Sequence, residues 1–200
     1  MNKKTILIYG DSNTWGMTDK MTRYPFRVRW TSQLQKLLGD SYEVIGAGVP
    51  GGVAGDYPNA NLIKRRRGTF DLVYRRHRPV DILIIALGTN DLRHEYSRAP
   101  EQTRDDLLWY RDRMREINGE AEREESTKLL YLLPSNFDLN LFPASVEKRL
   151  ELIKLMKQVD NPTISADEID LSSDGAHFSE LGHEQMSKIV FSKIKELEND

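Results

Sequence analysis

The stretch Ile6-Leu7-Ile8-Tyr9-Gly10-Asp11-Ser12-Asn13-Thr14-Trp15-Gly16 decides how the rest of the chain is read. Its apolar residues run continuously instead of alternating, so Thr5 to Tyr9 predicts a strand buried on both faces, as in a parallel sheet. Gly10 permits a sharp exit, and Asp11, Ser12 and Asn13 favour a turn or a helix cap. Ser12 is therefore expected at the carboxyl edge of a parallel sheet, where open α/β folds bind their ligands. A plain N-cap serine in a strand-to-helix turn explains this stretch equally well, and the remaining sequence has to decide.

Outward from this stretch, strand and helix patterns alternate. Residues 29–38 carry apolar side chains at helical spacing (Trp30, Leu34, Leu37, Leu38), closed by Gly39. Tyr42 to Ile45 predicts a second strand, followed by the glycine loop Gly46-Ala47-Gly48-Val49-Pro50-Gly51-Gly52. Residues 61–77 suggest at least one helix, interrupted near Gly68, with Lys64 to Arg67 as a solvated basic face. Val80 to Leu87 is the strongest strand signal and ends in Gly88-Thr89-Asn90-Asp91. A long charged helix from Pro100 to about Glu124 turns Leu107, Leu108, Tyr110, Met114 and Ile117 inward. A fourth strand is expected over Lys128 to Leu133, a helix over Val146 to Met156 with Val146, Leu150, Ile153 and Leu155 among its apolar positions, and a short fifth strand over Pro162 to Ile164. Ser179 is placed as the cap of a final helix carrying Leu181, Met186, Ile189, Val190 and Ile194. This alternation means βαβ units and a parallel sheet covered by helices on both faces.

Composition narrows the function classes. Two hundred residues make one domain over 1–200 the default. A formal charge of -2 and a pI near 6.1 provide no basic footprint for nucleic acid. The absence of cysteine excludes disulfides, thiolate metal sites and a cysteine nucleophile. No apolar run approaches membrane-spanning length, and the one after Lys3-Lys4 is too short for a signal peptide, so a cytoplasmic protein is expected.

Three strand exits carry polar residues or glycines that propensity does not demand: Ser12, Gly48 and Asn90. In a parallel sheet all three lie on one edge. Asp174-Gly175-Ala176-His177 adds an acid and an imidazole three residues apart. A serine nucleophile needs a base in hydrogen-bond reach, and the base needs a partner that fixes its tautomer and stabilises its charged form. Acyl transfer also needs donors aimed at the developing oxyanion. The backbone amides of Ser12 and Gly48 and the side chain of Asn90 are the candidates. As metal ligands Asp174 and His177 are a weak pair without a third and fourth, and neither metal nor cofactor is expected. Trp15, just past the serine, and His94, after the Asn90 block, are candidate substrate-binding residues; His94 could equally be a surface residue. Asp11 and Asp91 suit turn bonding, and His183 belongs to the last helix.

Gly-Asp-Ser-Asn at 10–13, Gly48, Gly-Thr-Asn-Asp at 88–91 and Asp-x-x-His at 174–177 resemble, in order and spacing, the four sequence blocks of the SGNH (GDSL) hydrolases. Gly-Asp-Ser-Asn-Thr-Trp-Gly, Val-Arg-Trp-Thr and Leu-Gly-Thr-Asn-Asp-Leu-Arg are similar to the arylesterase-like branch. The resemblance implies a flavodoxin-like three-layer α/β/α sandwich with a central parallel sheet of about five strands. It implies ester hydrolysis through an acyl-serine, with Ser12 as nucleophile, His177 as base and Asp174 as its orienting acid. Gly48 and Asn90 would complete the oxyanion hole with Ser12. Asn13 stands where the GDSL name has leucine, and Gly46 where many relatives have asparagine. The partner implied is a small-molecule ester, and self-association is common among arylesterase-type relatives. Carbohydrate O-acetylesterase, thioesterase or acyltransferase activity on the same site, and a non-catalytic binding protein that kept the fold, are the competing readings.

Overall fold

β1 spans Lys4–Gly10, and its side chains divide between the two faces of the sheet: Leu7 and Tyr9 enter one apolar cluster, Ile6 and Ile8 the other. The computed structural model describes residues 3–93, 96, 98–120 and 126–199. Its sheet has five strands, β2(Tyr42–Gly48), β1, β3(Ile82–Ala86), β4(Lys128–Leu132) and β5(Thr163–Ile164), in that spatial order. Every pairing is parallel, with Gly10 opposite both Gly48 and Ala86. The order reverses direction between β1 and β3, which makes a crevice at the carboxyl ends of these two strands.

Helices cover both faces. Leu34 of α2(Trp30–Leu38) and Met186, Val190 and Ile194 of α6(Glu180–Asn199) pack on Ile6, Ile8, Ile82 and Ile84. Phe70 of α3(Arg67–Arg76), Leu107 and Tyr110 of α4(Pro100–Gly119), and Leu152 of α5(Pro143–Met156) pack on Leu7, Tyr9, Leu83 and Ile85. The layering is the three-layer α/β/α sandwich expected. No described helix is long and apolar enough to cross a membrane.

Several elements differ from expectation in extent or in the face they bury. β2 runs on to Gly48, because the glycines at 46 and 48 still pair with β1. The interruption expected near Gly68 lies just before it: a single 3-10 turn over Leu62–Lys64 is separated from α3, which begins at Arg67. The long helix ends at Gly119 within the described residues. Leu37, Leu150 and Leu181 face solvent although they are apolar, and Arg149 is buried instead of Leu150. The cause is chemical: the Arg149 guanidinium donates to the carbonyls of Pro134 and Ala166 and pairs with Asp167, joining the exits of β4 and β5. The basic run is also divided. Arg66 is buried with its guanidinium 3.9 Å from the Tyr9 ring, and Arg67 pairs with Asp106 at 2.7 Å.

Candidate active site

The chain leaves β1 at Gly10 and folds straight into a four-residue helix, α1(Ser12–Trp15), that returns over the strand end. The turn is so tight that a Cβ on Gly10 would sit 2.1 Å from the Thr14 hydroxyl oxygen. Asp11, not Ser12, is the N-cap: its carboxylate accepts from the Asn13 amide at 3.0 Å. Ser12 is the first helical residue. Gly16, at φ 86°, ends the helix in the left-handed region. Gly48 lies beside this turn, where a Cβ would come within 2.3 Å of the Trp15 nitrogen and 2.7 Å of the Asp11 oxygen. Only a glycine lets the end of β2 lie this close to the serine turn.

The imidazole reaches Ser12 from the loop between β5 and α6. His177 Nε2 lies 3.0 Å from Ser12 Oγ, and its Nδ1 lies 2.6 Å from Asp174 Oδ2. The other Asp174 oxygen accepts from the amides of Ala176 and His177 at 3.1 and 2.9 Å. Burial pushes the Asp174 carboxyl up, but the His177 ring and these two amides outweigh it and hold the group below the ordinary carboxylate range. A carboxylate on Nδ1 selects the tautomer that leaves the Nε2 lone pair facing the serine hydroxyl. Ser12 is 4% exposed.

Asn90 is buried at the end of β3, and its amide donates to the Gly52 carbonyl at 3.0 Å. The neighbouring Asp91 is buried and accepts from the amides of Ala54 and Gly55 and from the Tyr57 hydroxyl. This pair of residues ties the β3 exit to the loop at 52–57. Trp15 is half-buried, with the Arg23 guanidinium 4.9 Å from its ring. His94 lies outside the described residues. His183 is buried in α6, as expected, and its Nδ1 accepts from the Trp30 amide at 3.3 Å. Burial lowers its pKa to about 4. Asp11, buried behind the serine, is pushed up to about 6 by desolvation, against the hydrogen bonds of Asn13 and Thr89. Beside Asp11 lies a cavity of about 20 Å³ bordered by Thr14, Thr89 and Ser135, room for about one water.

The profile of the GDSL-like lipase/acylhydrolase family matches residues 8–185, which takes in every group just described. The chain belongs to this family. It is an ester hydrolase of the SGNH/GDSL type. Solved structures with the same fold include Est24, a carbohydrate acetylesterase from Sinorhizobium meliloti, at 24% identity and TM-score 0.83 over 98% of this chain and 100% of that one. The aryl esterase of M. smegmatis is 24% identical with TM-score 0.84, over 97% and 99% of the two chains. The lipase/acylhydrolase of Enterococcus faecalis is 21% identical with TM-score 0.67, over 96% and 95%. No curated protein matches the chain significantly.

Two features of this GDSL-like site had no signal in the sequence. One is the contact of Asn90 with Gly52, because nothing in the spacing relates the two loops. The other is Asn13, which looked like a simple replacement in the first block. Its carboxamide makes two long-range hydrogen bonds, to Ala176 and Phe178.

Proposed function

We propose that the chain hydrolyses short-chain, acetyl-type acyl esters through an acyl-enzyme on Ser12. The observation that carries this reading is the unbroken hydrogen-bonded line from Asp174 through His177 to Ser12. The Ser12 hydroxyl gives its proton to His177 Nε2 as Oγ bonds to the ester carbonyl carbon. Asp174 stabilises the imidazolium without taking the proton. The carbonyl oxygen becomes an oxyanion, received by the backbone amides of Ser12 and Gly48 and by the Asn90 amide N–H that does not hold Gly52. Collapse breaks the bond to the alcohol, which leaves with the proton from Nε2. Water, deprotonated by His177, then adds to the acyl carbon, and release of the carboxylic acid returns the proton to Ser12.

Trp15, just past the nucleophile in the chain, is the candidate substrate contact in this reading. The similarity both to an aryl esterase and to a carbohydrate acetylesterase supports acetyl transfer to water from either type of alcohol. The test is hydrolysis of p-nitrophenyl esters from acetyl to octanoyl, followed by aryl acetates against acetylated sugars. Turnover should fall with chain length and vanish in Ser12→Ala. In Asn90→Ala it should fall about 10²–10³-fold. Turnover that survives Ser12→Ala would overturn the assignment of the nucleophile, and an Asn90→Ala enzyme at full speed would remove that residue from the oxyanion hole.

A further inference from the structure

Asn13 sits directly after the serine and is 6% exposed. Its Nδ2 donates to the Ala176 carbonyl at 3.2 Å, and its Oδ1 accepts from the Phe178 amide at 3.0 Å. These two backbone groups flank His177 on either side. One side chain therefore grips the imidazole's own segment of chain from both ends, and that side chain is fixed to the residue bearing the nucleophile.

The rest of the Asn13 environment is built to hold this grip. Its amide donates to Asp11, and its carbonyl accepts from the Trp30 indole N–H at 3.1 Å. Phe178 is anchored in the cluster beneath α2 and α6, whereas Ala176 packs against the cluster on the opposite face of the sheet. The contacts within the loop set its internal shape: Ser172 amide to His177 carbonyl at 2.8 Å, and Gly175 amide to Ser172 carbonyl at 2.9 Å. They do not relate the loop to α1. Among the described hydrogen bonds, the side chains of α1 reach this loop only through Asn13 and through Ser12 itself.

We propose that Asn13 is a positioning residue for the ester-hydrolysis reading above: its carboxamide sets the separation of Ser12 Oγ and His177 Nε2. Leucine at this position, as in the GDSL name, could make neither bond of this two-point clamp. The clamp requires a donor and an acceptor on one short side chain. Ionised aspartate supplies only acceptors and would face the Ala176 carbonyl with a like partial charge. Protonated aspartate regains the donor.

This asymmetry supplies the test. Asn13→Leu, Asn13→Asp and Ser12→Ala are assayed with p-nitrophenyl acetate beside the wild type across pH 5–8, with thermal melts in the same buffers. Asn13→Leu should lose about 10- to 100-fold in kcat, the scale of a small misplacement of a reacting group, with KM within about twofold. The kcat of Asn13→Asp relative to wild type should rise as pH falls, while the same ratio for Asn13→Leu stays flat. A folded Asn13→Leu enzyme with wild-type kcat overturns the proposal. So does an Asn13→Asp ratio that does not change with pH, and this second arm decides the matter if Asn13→Leu does not fold. Should Ser12→Ala keep its turnover, the esterase reading fails separately. The clamp is then judged by the His177 Nδ1 proton in the NMR spectrum. It should exchange faster in Asn13→Leu than in wild type, and equal exchange overturns the proposal.

Discussion

Asp11 and His183 are both buried, and their pKa values move toward each other from opposite sides. Asp11 is pushed up to about 6 and His183 down to about 4, in both cases mainly by desolvation. The raised Asp11 value means that the folded protein holds its proton longer than the unfolded chain. Its contribution is present at low pH and is lost as pH rises through 6. The lowered His183 value has the opposite sign: its contribution is present above pH 6.5 and is lost as pH falls toward 4. Each is worth up to about 3 kcal/mol, so in the wild type the two slopes largely cancel between pH 4 and 6.5. Asp11→Asn keeps an acceptor for the Asn13 amide and removes one slope. Its urea midpoint should exceed that of wild type at pH 7 and fall more steeply on acidification. His183→Gln should show the reverse, and three parallel midpoint-versus-pH curves would refute the argument.

Among the elements, α6 is the one that places the loop bearing the imidazole. Gly182 lies against the Asp170 carbonyl so closely that a Cβ would come within 2.0 Å of it. Gln185 accepts from the Asp170 amide at 2.8 Å, and the Ser179 hydroxyl accepts from the Gly182 amide at 3.1 Å, as expected of the helix cap. Gly182→Ala must push α6 away from the segment leading into Asp174. It should cost about 1–3 kcal/mol, and kcat should fall with it. Gly68, in the first turn of α3, is the control, because a Cβ there meets nothing within 4 Å. Gly68→Ala should stabilise by up to about 1 kcal/mol through helix propensity and leave kcat unchanged. At about 2–4 °C per kcal/mol for a chain of this size, the opposite shifts in melting temperature are separable by calorimetry. Shifts of the same sign would mean that the close approach at Gly182 is not what sets the helix position.

For the molecule as a whole, the five-stranded sheet and the loop over 49–65 should open independently. β1, β3 and β4 are sealed between two apolar clusters. The loop has a small cluster of its own, Val53, Tyr57 and Ala60, enters the main cluster through Ala54 alone, and is held to the β3 exit by Asp91 and Asn90. Amide exchange should therefore be slowest in β1, β3 and β4. Asp91→Asn should speed exchange at Ala54 and Gly55, whose amides it accepts, without changing β1. Equal acceleration in β1 would make the loop and the sheet one cooperative unit. Because Asn90 grips the same loop through Gly52, opening here also disperses the proposed oxyanion donors.

The sequence by itself determined the layered α/β architecture, the edge on which the chemistry collects and the identity of Ser12, Asp174 and His177 as partners to be tested. These follow from local rules: continuous apolar runs make strands buried on two faces, glycines end them, and an acid three residues before a histidine closes on it within a single turn. What only the tertiary structure decided depends on contacts between segments far apart in the chain. The clamp from Asn13 spans to Ala176 and Phe178, the Asn90 amide meets Gly52, and His183 caps the distant α2. Tertiary contacts likewise put Arg149 inside and left the apolar Leu150 in solvent, since a helical spacing of apolar residues does not reveal that a guanidinium has carbonyls waiting for it across the sheet edge. Hydrogen-bond complementarity over such distances leaves no period in the sequence, because each partner obeys only its own local rules until the fold brings the two together.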